Sequence, residues 1–189
     1  MSAGFDRLSQ RGDYFESSCD QLKRALPTYL SHNSDMKKSL RALAAAFKNI
    51  AATESNANLK ECLFDLAQKK QALSEVDLYQ RCQEETMMLL DEARSTILQP
   101  LRDIVSDHQQ AAEKITASAK SKGVPEAIHE QRVQQAQDSL PIHSALFEKH
   151  RVLHMKQLLE TVLMTEMRYH CMALQELSPI LQLLATVEP

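Results

Sequence analysis

Residues 21–50 read QLKRALPTYLSHNSDMKKSLRALAAAFKNI. Within them Leu22, Leu26, Tyr29, Asn33, Met36, Leu40, Leu43, Phe47 and Ile50 follow one another at spacings of four and three. That alternation is the seam of a coiled coil, since it keeps one stripe of a helix facing a neighbour. A half-buried strand would repeat every second residue. Composition agrees: 189 residues include only 3 Gly and 6 Pro, and none of the glycines lies between Asp13 and Lys122. Three glycines cannot serve the turns of a sheet, a phosphate-cradling loop or a dinucleotide fingerprint. Aromatic residues are 5% and Trp is absent, too few for an ordinary ligand pocket or a base-stacking surface.

Outward from this seam, Asp13 and Glu16 have capping-box spacing for a first helix over about 14–53. Residues 1–18 then read as a lead-in, in which Phe5, Leu8, Tyr14 and Phe15 could form a short amphipathic helix. After the polar stretch 53–58, Asn58 reads as an N-cap with Glu61 three residues on. A second stripe follows as Leu59, Leu63, Leu66, Lys70 and Leu73, slips phase, and resumes at Val76 to run through Met87, Leu90, Ile97, Leu101 and His108 to Ile115. Such a slip is a stammer, which overwinds a coil locally. Read as continuous, 58–122 makes a helix of about 100 Å at ~1.5 Å per residue. Pro100 should bend this helix without ending it, because the stripe passes through in phase. Gly123 and Pro125 mark a tip hairpin near 123–125. A third helix is predicted over 126–186, bent at Pro141 and Pro179, with the stripe Leu163, Met167, His170, Leu174, Leu177, Leu181 and Leu184.

The expected fold is therefore all-α, an elongated antiparallel three-helix coiled coil spanning 19–187 as a single domain. The predicted core and pairing seam contains Leu40, Leu43, Phe47, Leu63, Leu66, Leu90, Ile97, Leu163, Met167, Leu174, Leu177 and Leu181. The apolar faces of the middle are wider than two neighbours need, and 106–137 holds few large apolar residues. A fat body with a thin arm suits a homodimer joined through the body.

The net charge of −3 and pI of about 6.2 exclude a bulk basic coat for nucleic acid. Cys19, Cys62, Cys82 and Cys171 lie far apart without zinc spacing, so free thiols and a reducing, cytoplasmic setting are expected. The start MSAGFDRLSQ lacks the apolar run of a secretory leader, and no 18-residue apolar stretch is present.

Several constellations invite chemistry. His150 and His154 have metal-ligand spacing and His143 shares their side, but no Glu follows His150, and Lys149 and Arg151 would oppose a cation. No metal and no cofactor is expected; a pH-sensitive addition to a basic face fits better than a metal, and the first reading is ordinary surface polar residues. A pair of Glu-x-x-His motifs, as a di-iron bundle needs, is absent. Lys70, Gln80, Gln83, Arg94 and His108 interrupt the second stripe and read as register-fixing polar residues. His170 beside Cys171 reads as a core histidine, because helix neighbours do not face each other. No catalytic residue is assigned, and no enzyme activity is expected.

The chain resembles BAR domains, and most closely the Chibby-interacting BAR-domain family of the ciliary base. The likeness rests on Ala51-Ala52-Thr53-Glu54 with Leu59-Lys60 and Leu63, on Gln99-Pro100-Leu101, and on Thr165-Glu166-Met167, His170 and Ala173-Leu174. It implies a curved homodimer with a six-helix central bundle that binds or senses curved anionic phospholipid membranes. It also implies a small coiled-coil partner of the Chibby type and a peripheral-membrane location at the ciliary base. The membrane-binding residues it implies are Arg102, Lys114, Lys120, Lys122, Arg132, Lys149, Arg151 and Lys156. From 102 to 132, however, five basic residues (102, 114, 120, 122, 132) meet five acidic ones (103, 107, 113, 126, 130). An arm without net charge gains little of the ~1 kcal/mol per Lys or Arg that an anionic leaflet offers. The alternative is a protein-binding coiled-coil scaffold that keeps the dimer and has little or no membrane contact.

Overall fold

The computed structural model describes residues 3–120 and 126–187, without the side chains of His32, Asn33, Ile115, Thr116, Arg132, Val133, Ala136, 118–120 and 126–130. The described residues are 95% helical, with no strand among them. The helices are α1 (Ala3–Thr53), α2 (Ala57–Ser74), α3 (Leu78–Ala93), a π-helical turn (Arg94–Leu98), α4 (Gln99–Lys120) and α5 (Glu126–Leu184). Three long helical runs result, the middle one interrupted.

Three local expectations are corrected. First, residues 3–18 are not a separate lead-in but the first turns of α1, and Asp13 is interior to that helix. Phe5, Leu8, Phe15 and Cys19 recur at helical spacing and are all buried, so packing overrides the weak propensity of Gly4 and Gly12. Second, Asn56 and not Asn58 caps α2: its side-chain oxygen accepts the N–H groups of Asn58 and Leu59, each at 3.1 Å. Glu54 Oε1 in turn accepts the Asn56 N–H at 2.9 Å.

Third, 58–122 is not one helix. The chain turns at 75–77, where the stripe slips phase. A missing residue in the heptad would rotate everything after it off the core, and a break restores the face. α1 lies beside the break, where its Lys37 and Arg41 pair with Asp77 and Glu75. At Pro100 the helix does continue. The preceding π turn, in which the Gln99 N–H bonds back to Arg94, adjusts the ladder next to the residue that lacks a donor. The tip hairpin near 123–125 lies outside the described residues.

The chain divides into two compact units, one of 1–23 and 87–159 and one of 24–86 and 160–189. In the first, α1 runs antiparallel to the middle run. Phe5 stacks on His108, Glu16 pairs with Arg102, Asp20 with Arg94 and Lys23 with Asp91, so α1 numbers rise as the partners' fall. These ion pairs are largely exposed and screened by water, so they register the helices more than they hold them. The hold comes from buried Leu8, Phe15, Leu90, Ile97, Leu98, Leu101, Val105, Phe147 and Leu158. Gly12 permits the closest approach, since a Cβ there would lie 2.5 Å from Leu101 Cδ2.

In the second unit α5 runs antiparallel to α2 and α3, through Lys69–Glu176, Tyr79–Tyr169 and Cys82–Thr161. It runs parallel to α1, through Tyr29–Glu166 and Met36–Tyr169. Here the interior is made of small side chains. Ala44, Ala51, Cys62, Ala67, Ser74, Cys82 and Thr86 are buried, beside only a few larger residues such as Leu30, Leu73, Tyr169 and Ile180. The buried hydroxyls are satisfied by their own helices: Ser74 donates to the Gln71 carbonyl at 2.7 Å and Thr86 to that of Cys82 at 2.8 Å.

Two outcomes follow. Gly12→Leu gains helix propensity but overfills the contact with Leu101, so we expect a net loss of about 1–3 kcal/mol, seen as a lower melting temperature by circular dichroism. His108 is buried against Phe5 with a ring separation of 3.6 Å, and its Nδ1 has no hydrogen-bond partner. Burial holds its imidazole below the ordinary value of 6.5, against the opposing pull of Asp6. Below that pH the unfolded chain takes up a proton that the folded chain resists, so stability falls as the medium is acidified. His108→Leu should lose less melting temperature than the wild type between pH 7.5 and 5.5; equal losses would refute the assignment.

Candidate functional site

The last stretch of α5 carries the stripe Leu163, Met167, His170, Leu174, Leu181, and the second unit turns this stripe outward. Leu163, Met167, Leu174 and Leu181 are 55%, 61%, 67% and 72% exposed. His170 and Cys171 beside them are exposed as well, so His170 is not a core histidine. The opposite face of the same helix is the one that packs: Tyr169 and Ile180 are buried, and Val162, Thr165 and Glu176 are half-buried. On α1 and α2 of this unit Leu43, Ile50 and Phe64 are also exposed, while Leu40, Phe47, Leu63, Leu66 and Leu177 are half-buried. Of the predicted seam, only Leu90 and Ile97 are fully buried, and they belong to the first unit. Periodicity located the stripe correctly but could not say whether its neighbour lies inside or outside the chain.

The basic residues do not gather as one patch. Arg102 is taken by Glu16. Arg151 donates from Nε and Nη2 to Glu148 Oε2 at 3.0 and 2.8 Å. Lys114, Lys149 and Lys156 are exposed. Lys122 lies outside the described residues, as do the side chains of Lys120 and Arg132. Among the other polar residues, Arg94 pairs with Asp20 and Gln80 donates to Glu84. His143 and His150 sit beside Pro100, Ile104 and Phe147 in a shallow hollow, and His154 Nε2 is buried without a partner. No three His, Cys, Asp or Glu side chains among the described residues form a metal-binding group. No described helix is long and apolar enough to cross a membrane.

All four thiols are free. Burial pushes the Cys19 and Cys82 thiols up, which keeps them protonated and poor nucleophiles. Cys82 Sγ lies 3.9 Å from the Thr161 carbonyl, as a weak donor inside the unit.

On the sequence alone Arg7, Arg11 and Tyr14 fall in the lead-in and have no site of their own. They stand at i, i+4 and i+7, one face of α1. The signal was present, but it fell in the stretch set aside as a lead-in.

Known protein families and curated proteins contain no match to this chain.

If the α5 stripe is a free face of the folded chain, Leu174→Gln should leave the unfolding free energy within about 0.5 kcal/mol of wild type when measured in dilute solution, as for an ordinary surface change. Leu90→Ala, in the core, should cost about 2–5 kcal/mol. Comparable losses in both would place Leu174 inside.

Proposed function

We propose that this chain is a non-enzymatic helical module of the BAR-like type that pairs with a second copy and acts as a protein-binding scaffold. The observation that carries the reading is the outward apolar stripe of α5. Four large side chains at spacings of four and seven, each more than half exposed, are costly to leave in water; burial would gain ~1.5–3 kcal/mol apiece. A heptad stripe is self-complementary under a twofold axis, so an identical copy supplies matching knobs and holes. The scaffold role is favoured over a membrane role because Arg102 and Arg151, two of the expected lipid contacts, already serve acidic partners within the chain. The resemblance to the Chibby-interacting family supports a cytoplasmic place at the ciliary base and a coiled-coil partner.

A second reading keeps anionic-membrane binding and curvature sensing. Lys114 and Lys149 favour it: both are exposed, and neither pairs with an acidic group among the described residues.

Sedimentation velocity tests the pairing. The wild type should run as a dimer at micromolar concentration. The double variant Leu174→Glu/Leu181→Glu should run as a helical monomer, since an unpaired buried charge costs about 3–5 kcal/mol. A monomeric wild type, or a variant that still pairs, would sink the proposal. Co-sedimentation with phosphatidylserine vesicles separates the two readings. The scaffold reading expects little pelleting at physiological salt. The membrane reading expects salt-sensitive pelleting that Lys114→Glu/Lys149→Glu abolishes.

A further inference from the structure

In the first unit a groove of about 510 Å³ runs between the first turns of α1 and the middle of α5. Three guanidinium groups line it, those of Arg7, Arg11 and Arg151, and Glu148 is the only acidic residue among the described residues of the wall. Both Arg11 and Arg151 pair with that single carboxylate. Arg7 pairs with nothing among the described residues. The groove thus carries a surplus of two positive charges. The rest of the lining is Gln10, Tyr14, Phe15, Ser18 and Met155; Phe15 packs edge-on to Phe147 with ring centroids 6.2 Å apart, Met155 is half-buried, and Tyr14 stands 78% exposed.

We propose that this groove docks an acidic amphipathic helix of a partner protein. Guanidinium groups favour carboxylate and phosphate alike, so shape must decide between them. The wall on α1 extends from Arg7 to Ser18. That is three helical turns, about 16 Å at 1.5 Å per residue, and a single phosphate group would fill only a fraction of it. Guanidinium groups beside aromatic and thioether side chains match a helical ligand of about three turns that carries both Glu or Asp and Leu or Phe. Glu148 already shows how a carboxylate sits between Arg11 and Arg151. The partner's carboxylates take Arg7 and the outer donors of Arg11, while its apolar side chains cover Tyr14 and Met155. Nothing in this requires the α5 stripe to pair, so the two proposals fail separately.

The test selects binders to the full-length chain from a random 16-residue peptide library displayed on phage, then measures the enriched peptides by fluorescence anisotropy. Enriched sequences should be acidic, with Leu or Phe at helical spacing. Their affinity should drop at least tenfold with Arg7→Glu, whose side chain has no partner to lose, and stay unchanged with the exposed control Lys48→Glu. Binding should also weaken as salt is raised. Enrichment without acidic residues, or equal affinity for wild type and Arg7→Glu, would overturn the proposal. So would inositol hexakisphosphate or phosphatidylserine vesicles binding in an Arg7-dependent way while no peptide does.

Discussion

Small side chains at the helix contacts of the second unit are the constraint on which the rest depends. Alanine, cysteine, serine and threonine fill the space between α1, α2, α3 and α5 there. Interiors pack to near-crystalline density, so contacts built from such residues bring backbones close. Leu26, Leu30, Leu73, Tyr169 and Ile180 are buried beside them, while other large apolar residues of the same helices stand outside, at Leu43, Ile50, Phe64, Leu163, Met167, Leu174 and Leu181. The first unit buries more large side chains, phenylalanine, leucine and isoleucine, beside the small Cys19, Ala93 and Gly12. Both units also leave large apolar side chains in water, at Met88, Ile142 and Val152 of the first and at Met167, Leu174 and Leu181 of the second.

Much of the fold was legible in the sequence, and its limits have physical causes. Heptad spacing and the scarcity of glycine identify helices directly, because both act locally. The break at 75–77 was visible as a phase slip, but choosing between an overwound coil and a turn required knowing that Lys37 and Arg41 stand opposite Glu75 and Asp77. At Pro100 the in-phase stripe was a sound guide, and the π turn supplied the accommodation. The N-terminal turns were undervalued because Gly4 and Gly12 lower helix propensity. Four buried apolar side chains outweigh two glycines, and that burial is tertiary information.

The candidate surfaces were less legible. The α5 stripe is a pattern of residue types, and a pattern has no direction; only the packing of Tyr169 and Ile180 fixes which side faces in. Charge behaves similarly. Arg102 and Arg151 entered as membrane contacts that the family resemblance implies. Glu16, 86 residues from Arg102, and Glu148, one turn from Arg151, absorb much of that charge. The Glu16–Arg102 pair leaves no signature in local composition, whereas Glu148 and Arg151 stand at the i, i+3 spacing of a local helix pair.

The distribution of sulfur has a practical consequence. Cys19, Cys62 and Cys82 are buried, whereas Cys171 is open to solvent on the same turn as His170 and close to Leu174. A maleimide label added to the native, unmutated chain will therefore react at Cys171 first. A fluorophore or spin probe attached there reports shielding of that side of α5 as it happens.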